Sequence, residues 1–217
     1  MNSEPKVYVV DDDADMRLSL RWLIGTIGVS VETFPSAEAF LAEDPLTREG
    51  CLILDVRMPG MGGILLLEHL KNLGSTLPVI MFTGHGEVPM AVQTLKYGAF
   101  DFLEKPASHQ IILDRVQAAL ALDRHLRLKL AEKTDMEQRI QQLTPREKEI
   151  LDRLIDGHST REIALSLEIS DRTVEKHRER LIVKLGAKNQ LDLVRRIVEH
   201  RNGDQAGPPG LIPLSQA

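Results

Sequence analysis

Short, unbroken apolar runs alternate with longer stretches of mixed polarity in the first hundred residues of the chain. The runs lie at Lys6–Val10, Val29–Phe34, Cys51–Leu54, Leu77–Phe82 and Ala99–Leu103. Strands that are buried on both faces carry such runs, because neither face alternates with solvent. The stretches between them, about 10–16 residues each, have the length of helices. The pattern predicts an α/β doubly wound sheet of five parallel strands, as in flavodoxin-like folds.

Residues 108–142 contain neither glycine nor proline. Apolar residues recur there near heptad spacing, at Ile112, Val116, Ala119, Leu126, Leu130 and Ile140. The seam is interrupted by Asp123, Lys133 and Glu137. We interpret the stretch as a fifth helix that continues into a helical linker, about 50 Å long if unbroken. The alternative is an amphipathic helix that packs on its own domain over its first half, followed by a loose linker.

From Leu143 onward, short helices with clear start signals replace the strands. Capping boxes at Thr144–Glu147 and Ser159–Glu162 place a Ser or Thr at the N-cap and a Glu three residues later. Ser170 can cap a third helix, and a fourth is predicted from Gln190 to Arg201. Because only residues 168–170 join the second and third helices, the pattern predicts a small all-α helix-turn-helix domain.

These patterns predict four segments along the chain. The sheet domain covers 1–122, the helical linker 123–142, the helix-turn-helix domain 143–202 and a disordered tail 203–217. The tail is assigned from its Gly and Pro content, which does not support a packed core.

The composition excludes several classes of protein. No apolar run approaches the ~18 residues that span a bilayer, and the N-terminal residues lack the pattern of a signal peptide. Cys51 is the only cysteine among the 217 residues, which excludes an intrachain disulfide and a multi-cysteine metal site. We therefore expect a soluble, cytoplasmic protein without a membrane partner.

The formal net charge of −5 argues against nucleic-acid binding until it is divided by segment. Residues 1–120 carry 9 basic and 16 acidic side chains, a net charge of −7. Residues 172–188 carry six basic side chains and two acidic ones, a net charge of +4. The acidic total therefore conceals a short basic helix, and we expect weak DNA binding by a monomer and useful binding by a dimer.

Chemically active side chains follow four of the five predicted strands. Asp11-Asp12-Asp13 follows the first, Asp55 the third, Thr83 ends the fourth and Lys105 follows the fifth. The carboxyl ends of parallel strands meet at one edge of a sheet, so we expect these groups to converge. Clustered carboxylates repel one another unless a cation is present, and Mg²⁺ suits such oxygen ligands. The set predicts a phosphoryl-acceptor site, in which a carboxylate attacks phosphorus.

Each of these residues also has an ordinary structural interpretation. The three N-terminal aspartates can be stabilising acids at a helix N-terminus. Thr83 can be a strand-end hydroxyl, and Lys105 a solvated surface lysine. The coincidence of all of them at neighbouring strand ends favours the phosphoryl-acceptor interpretation.

Four motifs mark these strand ends, at Asp11–Asp13, Leu54–Gly63, Thr83–Gly86 and Asp101–Pro106. On these motifs, residues 5–122 resemble the receiver domain of two-component response regulators. The resemblance implies that Asp55 is the phosphorylated residue. The implied Mg²⁺ ligands are Asp11, Asp12, Asp55 and the backbone carbonyl of Arg57.

The same resemblance implies that Thr83 and Lys105 bind the phosphoryl group. It further implies that Thr83 and Phe102 form a conformational switch. A core aromatic residue that never moves is the alternative interpretation of Phe102.

The third helix of the second domain is predicted to expose a basic face, formed by Arg172, Lys176, Arg178, Arg180 and Lys184. In a helix-turn-helix domain, such a helix enters the major groove by its N-terminal end. A solvated surface is the alternative for a basic set of this kind, and the capped helix-turn-helix context argues against it.

Residues 143–177 resemble the DNA-binding domain that the NarL/FixJ class of response regulators shares with LuxR-type activators. Together with the receiver motifs, the resemblance points to the FixJ-like branch of that class. The residues that it places on base edges are Glu175, Lys176 and Glu179. Those that it places near phosphates are Arg172, Thr173, His177 and Arg180. A packed or solvated histidine is the alternative for His177.

The favoured interpretation is a phosphorylation-dependent transcriptional regulator, not an enzyme beyond possible self-phosphorylation and self-dephosphorylation. A sensor histidine kinase would phosphorylate Asp55, and the receiver would dimerise through its fourth helix and fifth strand. The dimer would bind promoter DNA and, if it acts as an activator, contact RNA polymerase.

Two other functions remain open at this point. The Asp-x-Asp pattern at Asp11–Asp13 also occurs in haloacid-dehalogenase-like phosphotransferases, although the chain lacks room for their cap insertion. Alternatively, the helix-turn-helix domain serves protein association only.

Overall fold

The computed structural model describes residues 5–43, 46, 48–84 and 88–203, and packing divides the chain into two units, Met1–Leu128 and Lys129–Ala217. The strands are β1 Lys6–Val10, β2 Val31–Phe34, β3 Gly50–Leu54, β4 Val79–Thr83 and β5 Asp101–Glu104. The helices are α1 Ala14–Gly25, α2 Ala37–Leu41, α3 Gly63–Asn72, α4 Val88–Lys96, α5 His109–Gln141, α6 Pro145–Ile155, α7 Thr160–Ser166, α8 Asp171–Lys184 and α9 Gln190–Gly203. None of these described helices is long and apolar enough to cross a membrane.

The five strands of the first unit form one parallel sheet in the order β2-β1-β3-β4-β5. The predicted doubly wound fold is therefore confirmed. Three strands, β2, β4 and β5, begin two residues later than the apolar runs predict. The central strands β1 and β3 pair so that Val10 lies opposite Leu54. The residues that follow them, Asp11 and Asp55, consequently emerge side by side.

Both faces of the sheet are buried, which explains the unbroken apolar runs. Val7 and Val9 of β1 pack in a cluster with residues of α1 and α5. Tyr8 and Val10 point to the opposite face, where they pack with residues of α2 and α3. Successive side chains of a strand point to opposite faces, and here each face has its own core.

The buried part of α5 includes Asp123, which the sequence pattern treats as an interruption of the apolar seam. The helix continues through this charged position. Asp123 is 1% exposed, and its carboxylate accepts hydrogen bonds from the backbone N–H of Gly50 (3.0 Å) and from Nε of Arg127 (2.8 Å). Nη1 of Arg127 also lies 2.6 Å from the Glu49 carboxylate. Leu130, which the heptad pattern placed in the seam, is 59% exposed.

Four helices surround the core of the second unit, and the first three begin at the N-cap residues that the sequence predicts. Thr144 and Ser159 form complete capping boxes with Glu147 and Glu162, and Ser170 caps α8. Buried side chains from all four helices form one apolar cluster: Ile150, Leu151, Leu154, Ile163, Ala164, Val174, Leu181, Leu193 and Ile197. The helix α9 ends at Gly203, so it includes the first residue of the predicted tail, and residues 204–217 lie outside the described part.

Candidate functional site

Three carboxylates meet at the edge of the sheet where β1 and β3 end. One oxygen from each of Asp11, Asp12 and Asp55 lies within 4.8 Å of the others. Asp11 and Asp55 are buried, whereas Asp12 is exposed. The position follows from strand pairing, since the N–H of Asp55 donates to the carbonyl of Val10 at 2.9 Å. The structure thus brings together the three carboxylates that the strand ends predict.

Lys105 reaches the same cluster from the end of β5. Its Nζ lies 2.6 Å from Oδ2 of Asp11 and 3.5 Å from Oδ1 of Asp55. The backbone N–H of Lys105 donates to the carbonyl of Thr83 (2.8 Å), which fixes the lysine beside the end of β4. Its side chain is 16% exposed, so the solvated-surface alternative does not describe it.

The negative charges of this carboxylate cluster are only partly compensated. Burial raises the pKa of Asp55, Lys105 opposes this effect, and the nearby Asp11 carboxylate adds to it. One lysine therefore compensates the buried carboxylates only in part. The donor set fits Mg²⁺, which prefers carboxylate and carbonyl oxygens and keeps several water ligands.

Backbone contacts hold the loops that carry the carboxylates. Asp13 is the N-cap of α1 and accepts hydrogen bonds from the N–H groups of Asp15 and Met16. The third aspartate of the motif thus serves a helix N-terminus, and the first two face the cluster. Gly63, which begins α3, lies so close to the Asp55 carbonyl oxygen that an added Cβ would meet it at 2.0 Å.

The two predicted switch residues lie on β4 and β5. Thr83 is 1% exposed, and Phe102 packs partly buried against the core on the α2–α4 side of the sheet. Phe102 lies opposite Met81, two residues before Thr83, so all three belong to the same face of the sheet. His85 and Gly86, the last residues of the Thr83–Gly86 motif, lie outside the described residues.

The second unit places α7 and α8 in a helix-turn-helix arrangement. Glu168 turns the chain between them with a positive φ of 53°. Five predicted DNA-contacting residues are exposed on α8: Arg172, Glu175, Lys176, Glu179 and Arg180. The other two, Thr173 and His177, are half-buried.

The two half-buried residues, Thr173 and His177, differ in how they are held. The N–H of Thr173 donates to the Ser170 hydroxyl at 3.2 Å, as part of the N-cap of α8. Nδ1 of His177 is buried and has no hydrogen-bond partner within the described ranges. The Nδ1 side of the His177 ring is therefore packed, in agreement with the alternative interpretation of this residue.

The basic face of α8 is smaller than the sequence predicts. Lys184 lies 2.7 Å from the buried Glu147 carboxylate of α6, and Arg178 is only 19% exposed and pairs with Glu175 at 2.6 Å. The expected exposure is confirmed for Lys184 and is only partial for Arg178, and a carboxylate pairs with each of the two side chains. No ion pair engages Arg172, Lys176 or Arg180 within the described part of the chain.

Comparison with known proteins decides the family. The model of the response regulator receiver domain matches residues 7–117, and that of the LuxR family of bacterial regulatory proteins matches residues 141–197. The transcriptional regulatory protein TdiR of Thauera aromatica is 45% identical over 208 residues, which cover 96% of this chain and 91% of TdiR. The chain belongs to the NarL/FixJ class of response regulators.

Other members of the class agree along nearly the whole chain. The transcriptional regulatory protein FixJ of Bradyrhizobium diazoefficiens is 40% identical over 195 residues, 90% of this chain and 95% of FixJ. The solved structure of the response regulator StyR superposes with a TM-score of 0.82 at 38% identity, covering 91% of this chain and all of that one. This response regulator is thus a transcriptional regulator of a two-component system, with a receiver domain and a LuxR-type DNA-binding domain.

Sequence reasoning missed several side chains that support the sites of this response regulator. Oε1 of Glu38 accepts a hydrogen bond from the N–H of Met61 at 2.8 Å, which ties the loop after β3 to α2. That bond lowers the pKa of Glu38. Arg17 donates to the carbonyl of Asp11 at 2.6 Å. The first contact joins residues 23 positions apart and the second joins residues six positions apart. No short sequence motif marks either of them.

Proposed function

We propose that Asp55 accepts a phosphoryl group from a sensor histidine kinase. An oxygen of Asp55 attacks phosphorus, the bond from phosphorus to the kinase imidazole breaks, and the imidazole nitrogen keeps the electron pair. The observation that supports this is the convergence of Asp11, Asp12 and Lys105 on Asp55, since a cluster with partly compensated charge favours binding of a cation and a phosphoryl group.

The same proposal assigns the groups around the acceptor. The ligands of Mg²⁺ are Asp11, Asp12, Asp55 and the backbone carbonyl of Arg57. When bound, Mg²⁺ supplies positive charge to the phosphoryl oxygens. Lys105 neutralises a further part of the transferred charge, and Thr83 donates a hydrogen bond to a phosphoryl oxygen.

Phosphorylation then changes the receiver surface. The added charge draws Thr83 toward Asp55, Phe102 moves into the space that Thr83 leaves, and the surface of α4 and β5 becomes a dimer interface. A local charge thereby shifts the equilibrium between two conformations. The partly buried position of Phe102 on the same sheet face as Thr83 is compatible with this coupling.

In the second unit, we propose that α8 reads promoter DNA. Glu175, Lys176 and Glu179 face base edges, whereas Arg172, Thr173, His177 and Arg180 lie near phosphates. The exposure of five of these residues on one capped helix supports the assignment. Two acidic residues in the groove weaken non-specific binding, so a phosphorylated homodimer is the effective DNA-binding form. We propose that it activates transcription through RNA polymerase, in the cytoplasm.

We also propose the domain limits that the sequence predicts, with one extension. The predicted receiver covers 1–122, the helical linker 123–142 and the helix-turn-helix domain 143–202. Because Asp123 and Arg127 contact Gly50 and Glu49, we extend the receiver from 122 to Leu128.

The acceptor is tested by treating the full chain with acetyl phosphate and Mg²⁺. We expect Asp55→Asn to abolish labelling and dimerisation, whereas Asp114→Asn, which removes an exposed carboxylate of α5, leaves both unchanged. Equal labelling of Asp55→Asn and the wild type would overturn the acceptor assignment. Phosphoprotein electrophoresis and size-exclusion chromatography measure the two properties.

The DNA contacts are tested by the salt dependence of binding. We expect Lys176→Ala and Arg180→Ala to weaken binding, and loss of a phosphate contact by Arg180→Ala lowers the slope of log affinity against log salt by about 1. Arg195→Ala on α9 removes an exposed arginine of the same domain and is the control. Unchanged affinity in both α8 variants would favour the protein-association alternative.

A further inference from the structure

Glu175 of α8 takes part in a hydrogen-bond triad that joins both helices of the helix-turn-helix. Its Oε1 accepts from the Thr160 hydroxyl at 2.7 Å and from Nη1 of Arg178 at 2.6 Å. Nη1 of Arg178 also donates to the Thr160 hydroxyl oxygen. Thr160 is the first residue of α7, so the triad links the start of one helix to the surface of the next.

The triad leaves half of the Glu175 carboxylate available. Both donors use Oε1, and no hydrogen bond engages Oε2 within the described residues. The Glu175 side chain is 53% exposed, whereas Arg178 beneath it is only 19% exposed. A flexible glutamate is thus held in one orientation, with one oxygen directed at internal donors and the other free to accept.

The neighbouring residues of the α8 surface lack such support. Within the described part of the protein, Lys176 and Glu179 have no side-chain hydrogen bond or ion pair, although both are exposed. Binding costs less conformational entropy when a side chain is already held in its bound orientation. Among these three, Glu175 is therefore the side chain best prepared to discriminate between bases.

We infer that Thr160 and Arg178 are positioning residues for base readout by Glu175. With Oε1 satisfied, Oε2 accepts one hydrogen bond from an exocyclic amino group in the major groove, and cytosine N4 is the donor that a glutamate suits. Arg178 also offsets the negative charge of Glu175, which lowers its repulsion of the DNA phosphates. This inference rests on the proposed placement of Glu175 at a base edge.

The test uses the full chain, treated with acetyl phosphate and Mg²⁺, and double-stranded DNA selected from a random pool. The Glu175→Ala variant first identifies the base pair that Glu175 reads, as the position where its base preference is lost. Duplexes that differ only at this base pair then measure discrimination by each variant. We expect wild-type discrimination of about tenfold or more, in the range of a good side-chain–base contact.

We expect Thr160→Val and Arg178→Gln to reduce this discrimination to about threefold or less, because Glu175 loses its fixed orientation. Thr160→Ser, which keeps the hydroxyl, should retain most of the wild-type discrimination. Arg195→Gln on α9 is the matched control, since it removes another arginine paired with a carboxylate at i,i+3 spacing, and it should leave discrimination unchanged. The slope of affinity against salt should stay constant in Thr160→Val, since no charge is removed.

Two results would overturn the inference, and each identifies a different part of it as wrong. If Glu175→Ala changes no base preference, the placement of Glu175 at a base edge fails and the inference fails with it. If Glu175→Ala removes a preference that Thr160→Val and Arg178→Gln both retain, only the positioning role fails. Thermal unfolding of each variant checks that the second domain remains folded, and Arg178→Gln gives the answer should Thr160→Val unfold.

Discussion

Each of the two units contains a buried carboxylate, and the pKa values of the two carboxylates shift in opposite directions. In the receiver, Asp55 lies beside Asp11, and burial together with this like charge keeps its pKa raised despite Lys105. In the DNA-binding domain, burial also acts against the Glu147 charge, but hydrogen bonds from Lys184 and Thr144 overcome it and lower the pKa of Glu147 to about 2. Burial alone therefore does not reveal the role of a charged residue.

The difference lies in how fully each charge is compensated. The Glu147 carboxylate accepts from Nζ of Lys184 (2.7 Å) and from the backbone N–H of Thr144 (2.9 Å), so it stabilises the start of α6. The Asp55 cluster has three carboxylates and one lysine. Without a further cation, repulsion between these carboxylates therefore lowers the stability of the receiver. A compensated buried charge serves the fold, and an uncompensated one is available for chemistry.

The largest effect on stability is expected from loss of the Glu147–Lys184 ion pair. Glu147→Gln removes the partner of Lys184, and we expect a loss of about 2 kcal/mol in the free energy of unfolding of the second unit. Breaking a fully buried pair costs about 3–5 kcal/mol, and the 40% exposure of Lys184 lets water solvate its charge in part. Urea unfolding measures the change, and amide hydrogen exchange in α6 and α8 assigns it.

Glu149→Gln is the control for that substitution, since Glu149 pairs with Arg146 on the same helix but is 51% exposed. Exposed pairs contribute about 0–1 kcal/mol. Equal losses in the two variants would contradict the contrast between a compensated buried charge and an ordinary surface pair.

The same carboxylate predicts a pH dependence of the second unit. Because the pKa of Glu147 is lowered from 4.5 to about 2 in the folded protein, its contribution is complete above pH 4.5. The contribution is lost as the pH falls from 4.5 to about 2. Stability curves of the wild type and Glu147→Gln should therefore converge across this range, and parallel curves would show that Glu147 is not the group responsible.

A smaller effect of opposite sign is expected in the receiver. In the absence of divalent cations, Asp55→Asn should raise the free energy of unfolding by about 1 kcal/mol, because it removes a buried like charge and leaves Lys105 paired with Asp11. Addition of Mg²⁺ should stabilise the wild type more than the variant. Urea unfolding of both proteins, with Asp114→Asn as control, measures this, and destabilisation by Asp55→Asn would contradict it.

The smallest effect is expected at Cys51. Burial raises the pKa of its thiol to about 12, and Asp123 adds to the shift, so the thiolate is absent at neutral pH. A thiol reagent such as Ellman's reagent should react with the unfolded chain and not with the folded one. Rapid reaction under native conditions would show that β3 opens easily at its N-terminal end.

The sequence predicted the local features of both units because their causes are local. Capping boxes at Thr144 and Ser159 involve residues three positions apart, and their hydrogen bonds form as predicted. Unbroken apolar runs predicted buried strands for the same reason. The contacts that the sequence did not predict have distant causes: Asp123 pairs with the N–H of Gly50, 73 residues away, and Lys184 pairs with Glu147, 37 residues away.

By itself, the sequence determined the order of strands and helices, the helix caps, the two-domain organisation and the residue types at the strand ends. Apolar periodicity and hydrogen bonds within one turn suffice for these properties. Only the tertiary structure decided which charges are compensated: Lys105 meets Asp11 across 94 positions, and Thr160 meets Glu175 across 15. The reason is physical, since the state of a buried charge depends on every group within a few ångströms, and folding brings most of those groups from elsewhere in the chain.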